Sequence, residues 1–122
     1  MTPARPLALV IEDDPASSEA LTLLLRDWGA EVIQAKSQAT ADAALSDRFD
    51  ELRWIITDFH LGDEDDGVSI ASRLNQAAPH ARVLVLSGSF RKRAEVMATK
   101  VGYEVLQKPA RAEAILAWLE KA

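Results

Sequence analysis

The sequence contains no cysteine, which excludes a disulfide framework and any thiol chemistry. That absence accords with the cytoplasm, where thiols stay reduced. No apolar run approaches the roughly 18 residues of a membrane helix, so no membrane insertion is expected. The opening MTPARP lacks the apolar stretch of a secretory signal. Positive charge is not in excess: 14 Lys and Arg stand against 19 Asp and Glu, a net charge of −5 at pH 7. Such a balance disfavours a general nucleic-acid binder, so no nucleic acid is expected as a partner. Repeats, low-complexity tracts and linkers are also missing, so residues 1–122 read as one domain with its core over about 7–121 and no output domain. What is present suits a globular protein, with 48% hydrophobic and 27% charged residues over a length that supports a real core.

Periodicity divides the chain into alternating strands and helices. Leu7 to Ile11 is a continuous apolar run, as in a strand covered on both faces. Asp14 and Pro15 then supply an N-cap and a first-turn proline. Leu21, Leu24, Leu25 and Trp28 form a helical stripe that Gly29 closes. Ala30–Ala35 reads as a second strand, and Ala39–Arg48 as a weak helix with Ala41, Ala44 and Leu45 inward. Arg53–Thr57 is the third strand. Gly67–Gln76 is a helix with Val68, Ala71 and Leu74 on one side. Arg82–Leu86 is the fourth strand, and the next helix carries Ala94, Met97, Ala98 and Val101 up to Gly102. Glu104–Gln107 is a short fifth strand. Ala112, Ile115, Leu116 and Leu119 mark the last helix. This alternation predicts a parallel sheet with helices on both faces.

In such sheets the functional crevice lies at the carboxyl ends of the strands. The first strand delivers Glu12, Asp13 and Asp14 there, the third Asp58, the fourth Ser87 and Gly88, and the fifth Lys108 and Pro109. Closely spaced carboxylates repel, so a cation belongs among them. Hard oxygen ligands, few in number, suit Mg²⁺, which keeps several of its waters. A carboxylate such as Asp58 can attack phosphorus to form an acyl phosphate. Ser87 can then donate to one phosphoryl oxygen and Lys108 can neutralise another.

The four segments VIEDDP, IITDFHLG, VLSGS and LQKPA resemble, in order and separation, the signatures of response-regulator receiver domains. The resemblance covers the chain from about Leu7 onward. It implies a flavodoxin-like (βα)5 fold, a doubly wound five-stranded parallel sheet in the order 2-1-3-4-5. It implies a two-component signalling domain that accepts a phosphoryl group with Mg²⁺, loses it by slow self-hydrolysis, and turns over no metabolite. The donor would be a histidine kinase or a histidine phosphotransfer protein. The family pattern also allows a dimer through the last strand and its flanking helices. Carried over by position, Asp58 is the phosphoacceptor. Alignment on Pro15 places the acidic pair at Glu12, acting through water, and Asp13, a direct metal ligand. The backbone carbonyl of His60 would be a further ligand. Ser87 takes the hydroxyl role and Lys108 the phosphate-pairing role, with a cis bond to Pro109.

Three positions depart from the pattern. Gly62 stands where the family commonly has proline. Val105 occupies the aromatic switch position three before the lysine, with Tyr103 two residues earlier. Gly102 is one residue nearer the lysine than usual, an ending similar to receivers at the C-terminus of hybrid histidine kinases. Val105 has essentially one free torsion, so the readout is expected through the loop after the fourth strand and the Arg91–Arg93 helix start. The bland readings are Asp14 as a cap only, the His60 side chain as a bystander, and Trp118 as core edge or partner contact. His80 stays unassigned, and Arg91–Arg93 reads as a solvated, partner-facing patch. A calcium loop counted from Asp63 fails, because Val68 and Leu74 occupy the positions that need glycine and glutamate. Two rivals stand beside the receiver. An aspartyl-phosphate phosphatase needs an Asp-x-Asp pair, and here the second position is His60. A phosphorylation-independent interaction module is favoured by Val105 and opposed by the intact acidic set.

Overall fold

The apolar runs become strands and the striped segments become helices, in strict alternation. The structure is a computed structural model that describes residues 5–61, 66–88 and 91–121, without the side chain of Arg91. The departure at Gly62, most of the acidic loop beginning at Asp63, and Phe90 in the expected readout segment lie outside these residues. The elements are β1 (Leu7–Ile11), α1 (Pro15–Trp28), β2 (Glu31–Ala35), α2 (Gln38–Leu45), β3 (Leu52–Asp58), α3 (Gly67–Ala77), β4 (Arg82–Ser87), α4 (Arg91–Lys100), β5 (Glu104–Gln107) and α5 (Ala112–Glu120). A single 3-10 turn, Phe49–Glu51, leads into β3.

The strands form one parallel sheet in the order β2-β1-β3-β4-β5. This is the flavodoxin-like doubly wound arrangement. Side-chain alternation sends Leu9, Ile11 and Ile55 to one face, with α2, α3 and α4, and Val10, Ile56 and Leu84 to the other, with α1 and α5. All five residues of β1 are buried, as a strand covered on both faces requires.

Several expected stripes shift in detail. In α1 the fully buried positions are Ser18, Thr22 and Leu25, while Leu21, Leu24 and Trp28 are only partly covered. The inward polar positions are tolerable because Thr22 Oγ1 accepts a hydrogen bond from Gln34 Nε2 at 2.7 Å. Ala44 is exposed, because α2 ends at Leu45 and the pair Ala41 and Leu45 already fills its contact. Val101 lies past the end of α4 and is 45% exposed. In α5 the inward set is Ile115, Trp118 and Leu119, and Ala112 faces solvent. Trp118 is thus core, capped by the Arg82 guanidinium 4.6 Å from its ring. Among the described residues no helix is long and apolar enough to cross a membrane.

Candidate functional site

The carboxyl ends of β1 and β3 are adjacent, with Ile11 registered against Thr57. Their following residues therefore converge. One carboxylate oxygen each of Glu12, Asp13 and Asp58 lies within 4.8 Å of the others. Glu12 and Asp58 are buried and Asp13 is exposed. Asp14 turns away: its Oδ2 accepts from the Ser17 N–H at 2.9 Å and from Ser17 Oγ at 2.7 Å, capping α1. Those bonds, the hydroxyl's first, hold its carboxyl below the usual range. Glu12 Oε1 accepts the Asp14 N–H at 3.1 Å, which fixes the turn between β1 and α1.

From the opposite side comes Lys108. Its Nζ is 3.1 Å from Glu12 Oε2 and 3.2 Å from Asp58 Oδ1. The Lys108 N–H donates to the Ser87 carbonyl at 2.8 Å, tying the ends of β4 and β5 together. The Lys108–Pro109 bond is cis, as the resemblance implies. Ser87 is 1% exposed, and its Oγ has no hydrogen-bond partner among the described residues. His60 is exposed, and its backbone N–H bonds the Asp58 carboxylate.

The electrostatics follow from this crowding. Burial pushes the Asp58 carboxyl up, and Lys108 only partly offsets it. Glu12 is likewise raised by burial, with Asp58 adding repulsion. For Lys108 burial alone would lower the ammonium, but Asp58 and Glu12 outweigh it and the net shift is upward. Three carboxylates against one ammonium leave two negative charges uncompensated, the charge of one divalent cation. The oxygen-only donor set, part buried and part open, fits a hard cation that keeps some of its waters. The orphan Ser87 hydroxyl fits an incoming acceptor oxygen.

Two contributors escaped the sequence reading. Gly67, read only as a helix start, lies against the end of β3 at Thr57 and Asp58. A Cβ there would run into the backbone carbonyl of Asp58 and come within 2.8 Å of Thr57 Oγ1. The Gly67 N–H also donates to the Phe59 carbonyl at 2.8 Å. Thr57 is fully buried, and its hydroxyl donates to the Asp58 carbonyl at 3.0 Å. The signal available for both was a glycine directly after a capping acid, Asp66, and a polar residue ending an apolar run.

The molecule is thus a doubly wound sheet with an acid cluster and a bridging lysine at its carboxyl rim. The response regulator receiver domain model matches residues 8–120, and the chain belongs to that family. It is a receiver domain of two-component signalling, and that family is one of phosphoacceptor signalling domains. A response regulator structure from Burkholderia pseudomallei, described with a phosphorylated aspartic acid, calcium ion and citrate, is 35% identical with TM-score 0.80. That match covers 91% of this chain and 64% of the other, so this chain spans under two thirds of that relative. A receiver domain protein from Clostridium thermocellum is 26% identical, TM-score 0.80, covering 89% and 86% of the two chains. A receiver protein from Pseudomonas putida shares the fold at TM-score 0.84 and 24% identity, over 99% and 100%. No protein of curated function matches the chain.

Proposed function

We propose that this receiver accepts a phosphoryl group onto Asp58 from the phosphohistidine of a histidine kinase or histidine phosphotransfer protein. The observation that carries the reading is the placement of Asp58 within reach of Glu12, Asp13 and Lys108, at the strand-end rim that also holds Ser87, whose buried hydroxyl has no hydrogen-bond partner among the described residues. In the transfer an Asp58 carboxylate oxygen forms a bond to phosphorus while the phosphorus–nitrogen bond breaks. The imidazole leaves with that electron pair and takes up a proton. Lys108 neutralises charge on the phosphoryl oxygens, and Ser87 Oγ–H donates to one of them. Slow return follows when water attacks phosphorus, releasing inorganic phosphate and restoring the carboxylate.

Glu12, Asp13, Asp58 and the His60 carbonyl would hold Mg²⁺, with Glu12 reaching it through water. A divalent cation bound there supplies charge neutralisation for the phosphoryl oxygens. The phosphorylated aspartate and calcium ion named for the Burkholderia relative support both halves of the reading. A cytoplasmic location follows from a donor of this kind.

The test is incubation with Mg²⁺ and acetyl phosphate, followed by intact mass. Wild type should gain one phosphoryl group and Asp58→Asn none. A gain that persists in the variant removes Asp58 from the role. No gain in wild type favours a phosphorylation-independent interaction module, the reading that Val105 supports.

A further inference from the structure

Outside the acid cluster, the residue after β3 meets the first turn of α4. Phe59 follows Asp58 directly, and it is only 2% exposed. It belongs to the core on the α3 and α4 side, with Val68, Ala94 and Ala98. The guanidinium carbon of Arg93 lies 5.7 Å from the centre of its ring. Phe59 is pinned: its N–H donates to the Leu86 carbonyl at 2.8 Å and its carbonyl accepts from Gly67. Arg93 is exposed and forms no ion pair among the described residues. Arg91, Lys92 and Arg93 place three cationic residues on the first turn of α4, where the helix dipole already favours anions. Any new negative charge nearby therefore stabilises that turn.

We propose that Arg93 is the positioning residue that passes the phosphorylation state of Asp58 to α4. The inference rests on the reading of Asp58 as phosphoacceptor. In the unmodified protein the guanidinium is held by the ring quadrupole of Phe59, a weak attraction at an exposed site. Phosphorylation replaces a carboxylate one residue away with a group of about two negative charges and several acceptor oxygens. A guanidinium bonds phosphate oxygens more strongly than it holds an aromatic face. Arg93 leaves the ring for the phosphoryl side, and the first turn of α4 moves with it. The two states thus differ in specific contacts, as any shifted equilibrium requires.

The aromatic route is closed by geometry. Val105 is small and half-buried. Tyr103 sits before β5, at the amino end of the sheet, with its hydroxyl donating to Asn75 Oδ1 at 3.1 Å.

The test is NMR of the full chain with Mg²⁺, with and without beryllofluoride as phosphoryl mimic. The fluorine signal of the bound mimic reports occupancy of Asp58 independently. Without the mimic, the Arg93 δ-methylene protons should show an upfield ring-current shift that Phe59→Leu abolishes. With the mimic, that shift should disappear in wild type and the amides of residues 92–98 should move. Arg93→Gln should lose at least half of the amide response while the fluorine signal persists. A ring-current shift unchanged at full occupancy, or a full amide response in Arg93→Gln, overturns the proposal. An absent fluorine signal in wild type overturns the phosphoacceptor reading instead, and this inference falls with it.

Discussion

At Lys108 one ammonium serves two buried carboxylates, 3.1 Å from Glu12 and 3.2 Å from Asp58. Its removal leaves two raised acids facing each other, a larger loss than a surface pair suffers. Lys108 is about one-third exposed, and water screens part of that loss. Lys108→Ala in metal-free protein is expected to cost about 1–2 kcal/mol at pH 7, measured by urea unfolding. Because Glu12 and Asp58 are raised, the folded state binds protons more tightly than the unfolded chain. These two groups therefore lower stability as pH climbs from the ordinary carboxylate range through their raised values. The Lys108 contribution has the opposite placement: its pKa is raised, so its stabilisation is complete below the ordinary lysine value and fades only above it. The Lys108→Ala loss should accordingly shrink toward pH 4, as the acids become neutral. A loss equal at pH 7 and pH 4 would show that packing, not charge, is what the lysine supplies. Asp58→Asn should act in reverse and stabilise the metal-free protein at pH 7 by about 1 kcal/mol, the ordinary scale of a point mutation.

Elements were legible where a single period governed them. Burial of every residue in β1 follows from its unbroken apolar run, and β5 falls on Glu104–Gln107 as read. The stripes failed where another element completed the contact: Thr22 goes inward because Gln34 on β2 supplies its partner. The start of α3 teaches the same lesson at the site. Gly67 was legible as a helix start after Asp66, whose side chain accepts the Ser69 N–H at 2.9 Å. Its tight approach to Asp58 was not, because that depends on how α3 meets β3 across the loop. Gly67→Ala places a methyl against backbone rather than a yielding side chain, so it is expected to cost about 2–3 kcal/mol. It should also slow phosphorylation at least tenfold, since the carboxylate of Asp58 shifts with its own backbone. Denaturation and the rate of mass increase check the two effects separately. Tyr103→Phe removes one hydroxyl bond between β5's approach and α3 and should cost about 0.5–1.5 kcal/mol. It should leave the amide response of α4 intact, as a residue fixed at the far end of the sheet requires.

Across the whole molecule the sheet separates two ends with different work. At the carboxyl rim stand Glu12, Asp13, Asp58, Ser87 and Lys108, assembled from four strands. That assembly was legible because parallel sheets send all their carboxyl ends the same way. The pairing within it, one lysine across two acids and a serine hydroxyl with no partner among the described residues, was not, because side-chain distances depend on how the loops close. The amino end holds the tryptophans. Trp54 lies near the start of β3, while Trp28 and Trp118 lie near the ends of α1 and α5, which run back against the strands. Trp28 and Trp54 meet edge to face at 5.5 Å, and Arg82, which begins β4, covers Trp118. These are the chain's three tryptophans, so its indole fluorescence reports the end away from the acids. Magnesium titration should therefore leave tryptophan emission nearly flat while the backbone amide signals of Glu12, Asp13 and Asp58 move. Asp13→Ala should weaken that amide response at least tenfold in apparent affinity, because it removes the exposed carboxylate of the proposed cation site without disturbing the buried Glu12 and Asp58. Unfolding, in contrast, should change emission strongly, since Trp54 and Trp118 are 5% and 3% exposed. An emission change that saturates with the amide shifts would mean that metal binding reaches across the sheet to its amino end. The receiver would then respond as one body rather than at its carboxyl rim and α4.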